Sequence, residues 1–598
     1  MSYPLTTALR VGSDLAAAIA VGGLASAAVL LPPGRHGIVS RAGRLELRRA
    51  GIAAGLWAVL ATAQGLTLVA NSLGISFGQV LHPGIVGTYL WALPSARALV
   101  LAAVLALFVA AANLVTTTTG AALCWLLPAG LAVALPVISA HGASHAFHAL
   151  ALTSGLIHVW TTTLWLGVAL VSADQTRRGV PGAKPATELV IRATPWLAGI
   201  VLGSGVAASW ARLGRFQDLF STNYGVLVLI SVGLLLAVVV LRQFARKRFL
   251  LGQVIALGLA LVAAAVMAAT FYPRPVPTYP SVAETILGGT FPAQPNAMRI
   301  LFGWAPDPFF LTLVILGGWL YLYAARRLHA RGDKWPWLRT LAWLTGSLAL
   351  LWATCGGVAR YAPVSFSLHM LQHMSLSMVA PILLTLGAPV TLTLRSLHPS
   401  HGLRRGPREW IVWALHTPVS RFVSHPIYVL AIYTVGLYGL YFTPLFNTMM
   451  HAHIGHVIMQ LHFLGAGLLF YWVIIGIDPG PRRVPHWARL VLVMLTLVIH
   501  AFFALAIMLA THPMVSGWYT LVKPPWISDV VHDQYVGGGI AWAFGEVPTL
   551  LVLIALAVQW SRSDDREAAR HDRKAERDGD AELTAYNEQL AMMNRRND

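Results

Sequence analysis

Apolar runs of roughly 20 residues, long enough to cross a bilayer, recur along nearly the whole chain between short polar connections. About fifteen are expected as spanning helices, the first at 12–31 and the last at 538–560. The connections alternate in charge. One series holds clusters such as Arg35/Arg41/Arg44, Arg326/Arg327/Arg331 and Arg404/Arg405/Arg408, and the connections between them are poor in Lys and Arg. Positive charge stays on the cytoplasmic side, so the N-terminus is expected outside and the C-terminus in the cytoplasm. The expected fold is an all-α polytopic membrane protein. The first apolar run, from about Val11 to Leu31, lacks a basic leader and a cleavage pattern, so it is expected to stay as a span.

The pattern breaks at a Pro-rich stretch too polar to span, read as an outer junction between two membrane domains. The expected organisation is a domain of about eight helices at 1–272, the junction at 273–308, a domain of about seven helices at 309–562, and a mixed-charge cytoplasmic tail at 563–598.

Composition sharpens this picture. The chain of 598 residues is 57% hydrophobic and 11% charged, far too apolar for a soluble protein of this length. Its formal charge of +19 is spread over the connections and forms no basic face, so nucleic acid is not an expected partner and membrane lipid is. The cysteines, Cys124 and Cys355, cannot make a disulfide framework or a zinc site by themselves. No nucleophile–base pair, phosphate loop or dinucleotide fingerprint is present, and an enzyme is not expected.

The candidate chemistry lies in histidines. Imidazole is expensive in hydrocarbon and needs a partner or a purpose. His141, His145 and His148 fall where the fifth span begins, with His158 deeper in it. The stretch SFSLHMLQHMSLSMVAP places His369 and His373 about 40° apart on one helical face, with Met370, Met374 and Met378 on the adjoining face. His456 and His462 enter the thirteenth span, and His500 lies in the fourteenth. Most of these sit toward the expected outer side. Imidazole with thioether suits copper, and the soft sulfur favours Cu(I). A methionine stripe is also ordinary core packing. Histidines on facing helices could alternatively ligate haem. Glu546, inside the last expected span, is a further functional candidate.

The second half resembles the CtaG family of haem-copper oxidase assembly proteins, through SLHMLQHMSLSMVAPILLTLGAPVTLTLR, HIGHVIMQLHFLGAGLLFYWVIIGIDPGPRR, HAFFALAIM and DQYVGGGIAWAFGEVP. The resemblance implies a role in maturing the copper centres of cytochrome c oxidase, with oxidase subunits as partners. It points to His369, His373, His456, His462, His500, Asp533, Gln534 and Glu546. The first half resembles the CopD family of copper-resistance or copper-import membrane proteins, through SAHGASHAFHAL, GLIHVWTTTLWLGVAL and STNYGVLVLI. Ile230 and Val168 stand where those relatives usually carry lysine and glycine. Together the resemblances imply copper import or delivery to an oxidase in a bacterial plasma membrane, with an extracytoplasmic copper chaperone as a possible partner. A haem-binding redox protein and a metal-free assembly scaffold are the alternatives.

Overall fold

The computed structural model describes residues 3–140, 147–244, 249–268, 270, 278–400, 405–482 and 484–597. These are 81% helical and contain no strand. In a bilayer core the helix satisfies every backbone N–H and C=O within its own segment, so long apolar runs become helices. Thirteen described helices are long and apolar enough to cross a membrane. Two further expected spans are helical but different in kind. Trp337–Cys355 is diluted by Arg339 and its tryptophans, and Pro426–Tyr441 is 16 residues long.

The first half holds α1 (Tyr3–Ala25), α2 (Arg41–Leu73), α3 (Pro94–Val115), α4 (Leu126–Ala140), α5 (His148–Arg177), α6 (Ala183–Arg212), α7 (Asn223–Phe244) and α8 (Phe249–Met267). Alanines dominate its buried clusters. Small residues let backbones approach where lipid removes the hydrophobic drive between helices. At the crossing of α1 and α5, a Cβ on Gly22 would stand 2.2 Å from the Gly167 carbonyl carbon. At the expected inner end, Arg178 donates to the buried Glu46 carboxylate at 3.0 Å, and both Arg178 and Arg49 reach Asp174. A buried carboxylate paired this way ties α2 to α5.

The second half holds α9 (Pro308–His329), α10 (Trp337–Cys355), α11 (Phe366–Met374), α12 (Ala380–Leu386), α13 (Pro389–Ser396), α14 (Pro426–Tyr441), α15 (His453–Ile475), α16 (His486–Leu509) and α17 (Val530–Asp578). A π-turn at Ser375–Val379 joins α11 to α12. Aromatic and methionine side chains fill one continuous core. The chain turns sharply at Ala388 (φ 48°) into α13. The first amides of α13 donate to the Asp478 carboxylate, Val390 N at 3.0 Å and Thr391 N at 2.8 Å. α17 runs unbroken for 49 residues, so the charged tail begins as its continuation.

The described part of the junction packs onto the second half. The Trp526 indole donates to the Pro292 carbonyl (2.9 Å), the Tyr361 hydroxyl to that of Ala293 (2.7 Å), and the Trp352 indole to that of Ile300 (3.0 Å). Residues 271–277 lie outside the described residues. The halves touch where α5 lies beside α9, and the His148 and His453 rings meet edge-on with centroids 5.6 Å apart.

Candidate functional site

α11 carries the first pair of expected histidines, and its start is held from outside. The Asp533 carboxylate, on α17, accepts from Phe366 N at 2.7 Å and from the hydroxyls of Ser365 and Ser367 at 3.1 and 2.5 Å. A negative group on the free amides of a helix N-terminus satisfies otherwise orphaned donors and complements the dipole. Asp533 is thus a cap supplied by a distant helix. Gln534 has a parallel role. Its side-chain oxygen accepts from Met514 N at 2.8 Å, and its amide donates to the Ile507 carbonyl at 3.3 Å. The pair locks α11 and the end of α16 onto α17.

With its start fixed, α11 buries both histidines. His369 Nε2 lies 2.8 Å from the Tyr441 hydroxyl, at the end of α14. His373, one turn deeper, meets Phe463 of α15 edge-on with centroids 3.9 Å apart. The π-turn begins two residues later, and such bulges gather at functional sites. Neither ring nitrogen of His373 or of His500 has a hydrogen-bond partner among the described residues. A buried polar atom without a partner costs about 1–3 kcal/mol. Retaining four of them in one core calls for a reason beyond packing.

A cavity of about 320 Å³ opens beside α11 at the contact of the two halves. Its polar lining includes His369, His453, His456, Gln372, Gln460, Thr354 and Asp307, with the thioethers of Met450 and Met459. His456 Nε2 is bonded to the Met450 carbonyl at 2.9 Å. Asp307 caps α9 with one carboxylate oxygen, which accepts from Phe309 N at 2.9 Å. Its other oxygen faces His453 Nε2 at 3.5 Å. Ala149, from α5 of the first half, closes one wall.

The structure therefore sorts the expected residues. His369 and His456 share the cavity. His373 and His500 lie in the packed core. His462 fits against α14, where a Cβ on Gly436 would come within 2.1 Å of its Nε2. Met370 and Met374 are fully buried in the core with Met378, and Met370 packs on Gly537 of α17, so the stripe acts as packing. His158 belongs to the first half, with Nδ1 3.1 Å from the Val201 carbonyl. His141 and His145 lie outside the described residues. Glu546 is half-buried on α17 and makes no hydrogen bond or ion pair among the described residues. Sequence reasoning placed His453 with the outer histidines at the start of the thirteenth span and missed Asp307, Met450 and Met459 beside it. The Asp-Pro opening of α9 signalled a helix cap, and only tertiary packing turns that cap toward an imidazole.

No group of three or more His, Cys, Asp or Glu among the described residues is arranged to hold a metal ion alone. A metal in this cavity would have to draw on thioether sulfur as well. Imidazole with thioether, without thiolate, is a donor set whose soft sulfur suits Cu(I) over harder cations.

Residues 319–563 match the family model described as cytochrome c oxidase caa3 assembly factor (Caa3_CtaG). An uncharacterized protein of Mycobacterium bovis is 34% identical over 603 residues, covering 98% of this chain and 89% of that one. One from Mycobacterium leprae is 40% identical over 314 residues, covering 52% of this chain and 48% of its own. No solved structure matches the chain. Residues 319–563 contain α11 with its cap, α15 with its histidines and most of the cavity wall, and by that match this part of a multi-pass chain is a domain of the cytochrome c oxidase caa3 assembly factor family, which implies involvement in oxidase assembly.

Proposed function

We propose that the chain handles copper as cargo at the cavity between its halves, and that it supports the maturation of copper centres of cytochrome c oxidase in a bacterial plasma membrane. The carrying observation is the lining itself. Three imidazoles, two thioethers and one carboxylate line one cavity of about 320 Å³ at the expected outer face. Neutral imidazole and thioether ligands bind Cu(I) without the tight grip of thiolates, which suits transfer. An extracytoplasmic copper chaperone on one side and an oxidase subunit on the other are the partners this reading requires. The CopD-like expectation for the first half enters here as well: from that half, α5 brings Ala149 to the cavity wall and His148 against the ring of His453.

The test is copper quantification on the purified full-length chain after anaerobic loading with Cu(I). His369→Ala with His456→Ala should lower bound copper several-fold. Cells carrying that double variant should hold less assembled oxidase, and added copper should partly restore it by mass action. A metal-free scaffold is the second reading, favoured by the lack of a close three-residue donor group among the described residues. It predicts no bound copper and no rescue. An optical spectrum of the same sample tests haem, which would give a Soret band.

A further inference from the structure

A second cavity, of about 300 Å³, lies wholly within the first half, between α1, α4, α5, α6, α7 and α8. Its mouth and floor differ in chemistry. Arg10, Asp14 and Arg212 line the end where α1 starts and α6 finishes, the expected outer side. The Arg10 guanidinium stands 3.9 Å from the Asp14 carboxylate, and Arg212 adds a second guanidinium, so the lining carries a formal charge of +1. The hydroxyls of Thr162, Ser209 and Tyr224 share the lining. Deeper, Leu202, Val228, Leu235 and Leu257 make it apolar. From Arg212 to Leu202 the cavity follows α6 for about 15 Å, at the helical rise per residue.

This donor set disfavours a metal cation. The one imidazole present, His158, already engages the Val201 carbonyl (3.1 Å) and the Ser204 hydroxyl (3.4 Å) through Nδ1. The one thioether is Met267. Guanidinium charge repels a positive ion in a low-dielectric setting. The same guanidiniums favour a carboxylate or phosphate oxygen, which arginine can bind through two parallel hydrogen bonds. Lying in a membrane-spanning bundle, a cationic mouth over an apolar channel fits a molecule with one anionic head and a hydrocarbon chain. The volume is at the small end for a ligand site, enough for the head and the first part of a chain.

We propose that the first half binds an anionic amphiphile in this cavity, with Arg212 and Arg10 on its carboxylate or phosphate head and the α6–α8 wall on its chain. The site is separate from the cavity between the halves and does not rest on copper handling.

The experiment uses the full-length chain in nanodiscs of neutral phosphatidylcholine, with the fluorescent fatty acid cis-parinaric acid as probe. Saturable binding should be displaced by a long-chain fatty acid about tenfold more strongly than by the alcohol of equal length, the discrimination one charge-assisted hydrogen bond supplies. Arg212→Gln should remove that preference, and Ala260→Trp, which fills the channel, should abolish binding of acid and alcohol alike. Repeating the titration in nanodiscs containing phosphatidylglycerol separates the sources. Loss of probe binding there identifies a phospholipid head as the natural occupant, and unchanged binding identifies a free fatty acid. Equal displacement by acid and alcohol overturns the proposal, as does unaltered probe binding in a folded Arg212→Gln or Ala260→Trp protein. If neither variant folds, the acid-over-alcohol preference of the unmodified chain decides.

Discussion

Single side chains in the second half divide into those that hold the site and those that could act in it. Asp533 holds it. Its carboxylate receives four donors from the start of α11, two backbone amides and two hydroxyls. Asp533→Asn keeps the shape, removes the charge and turns one acceptor into a donor facing donors. It should cost about 1–3 kcal/mol, read as a lower unfolding midpoint in detergent. His373 behaves oppositely. Both its ring nitrogens are buried without partners. Replacing an unsatisfied polar group by an apolar one of similar size can be neutral or stabilising. His373→Leu should therefore match or exceed the parent in thermal stability while cells accumulate less assembled oxidase. A large loss of stability would show that the imidazole is there to pack.

Between elements, close approach is set by glycine at a few crossings. Gly467 of α15 lies against the π-turn, where a Cβ would come within 2.3 Å of the Ser377 carbonyl oxygen. Two residues away, a Cβ on Gly465 would meet nothing within 4 Å. Gly467→Ala should force α15 away from α11 and cost about 1–3 kcal/mol, the usual penalty of overpacking. Gly465→Ala, on the same helix, should be neutral or slightly stabilising, because alanine is the better helix former. Thermal unfolding of the two variants side by side separates the backbone contact from a general intolerance of α15. Equal stabilities would mean that the crossing of α15 with the π-turn can relax.

For the whole molecule, loop charge sets which ends of the helices face outward, and labelling checks it. Ser281 opens a short helix of the junction, and Ser400 follows α13 on the opposite side of that expectation. Both native cysteines are free, Cys124 exposed and Cys355 buried, so a background with Cys124→Ser is needed. Ser281→Cys should react with an impermeant reagent in intact cells, and Ser400→Cys only after the membrane is opened. The reverse pattern would invert the bundle and put the cavity between the halves on the cytoplasmic face, where copper delivery to an outer oxidase domain fails. The halves also contact each other beyond that cavity. A Cβ on Gly120 would stand 2.3 Å from the Trp413 ring.

The sequence by itself determined the helical class and the apolar runs, because bilayer length and backbone hydrogen bonding leave no other solution for such segments. It also marked His369 and His456 as polar groups that hydrocarbon would not tolerate idly, and both reach the cavity. Spacing on one helix could not say which neighbour each side chain would meet. Tertiary packing turned the Met370–Met374–Met378 stripe into core and made Asp533 and Gln534 into locks on distant helices. It brought His453 and Asp307 to the cavity from segments that sequence reasoning had placed apart. Helical periodicity encodes which face a residue occupies. Which face of which other helix lies opposite is decided by close approach at glycines, by caps supplied across the bundle and by aromatic fit, none of which a single helix carries alone.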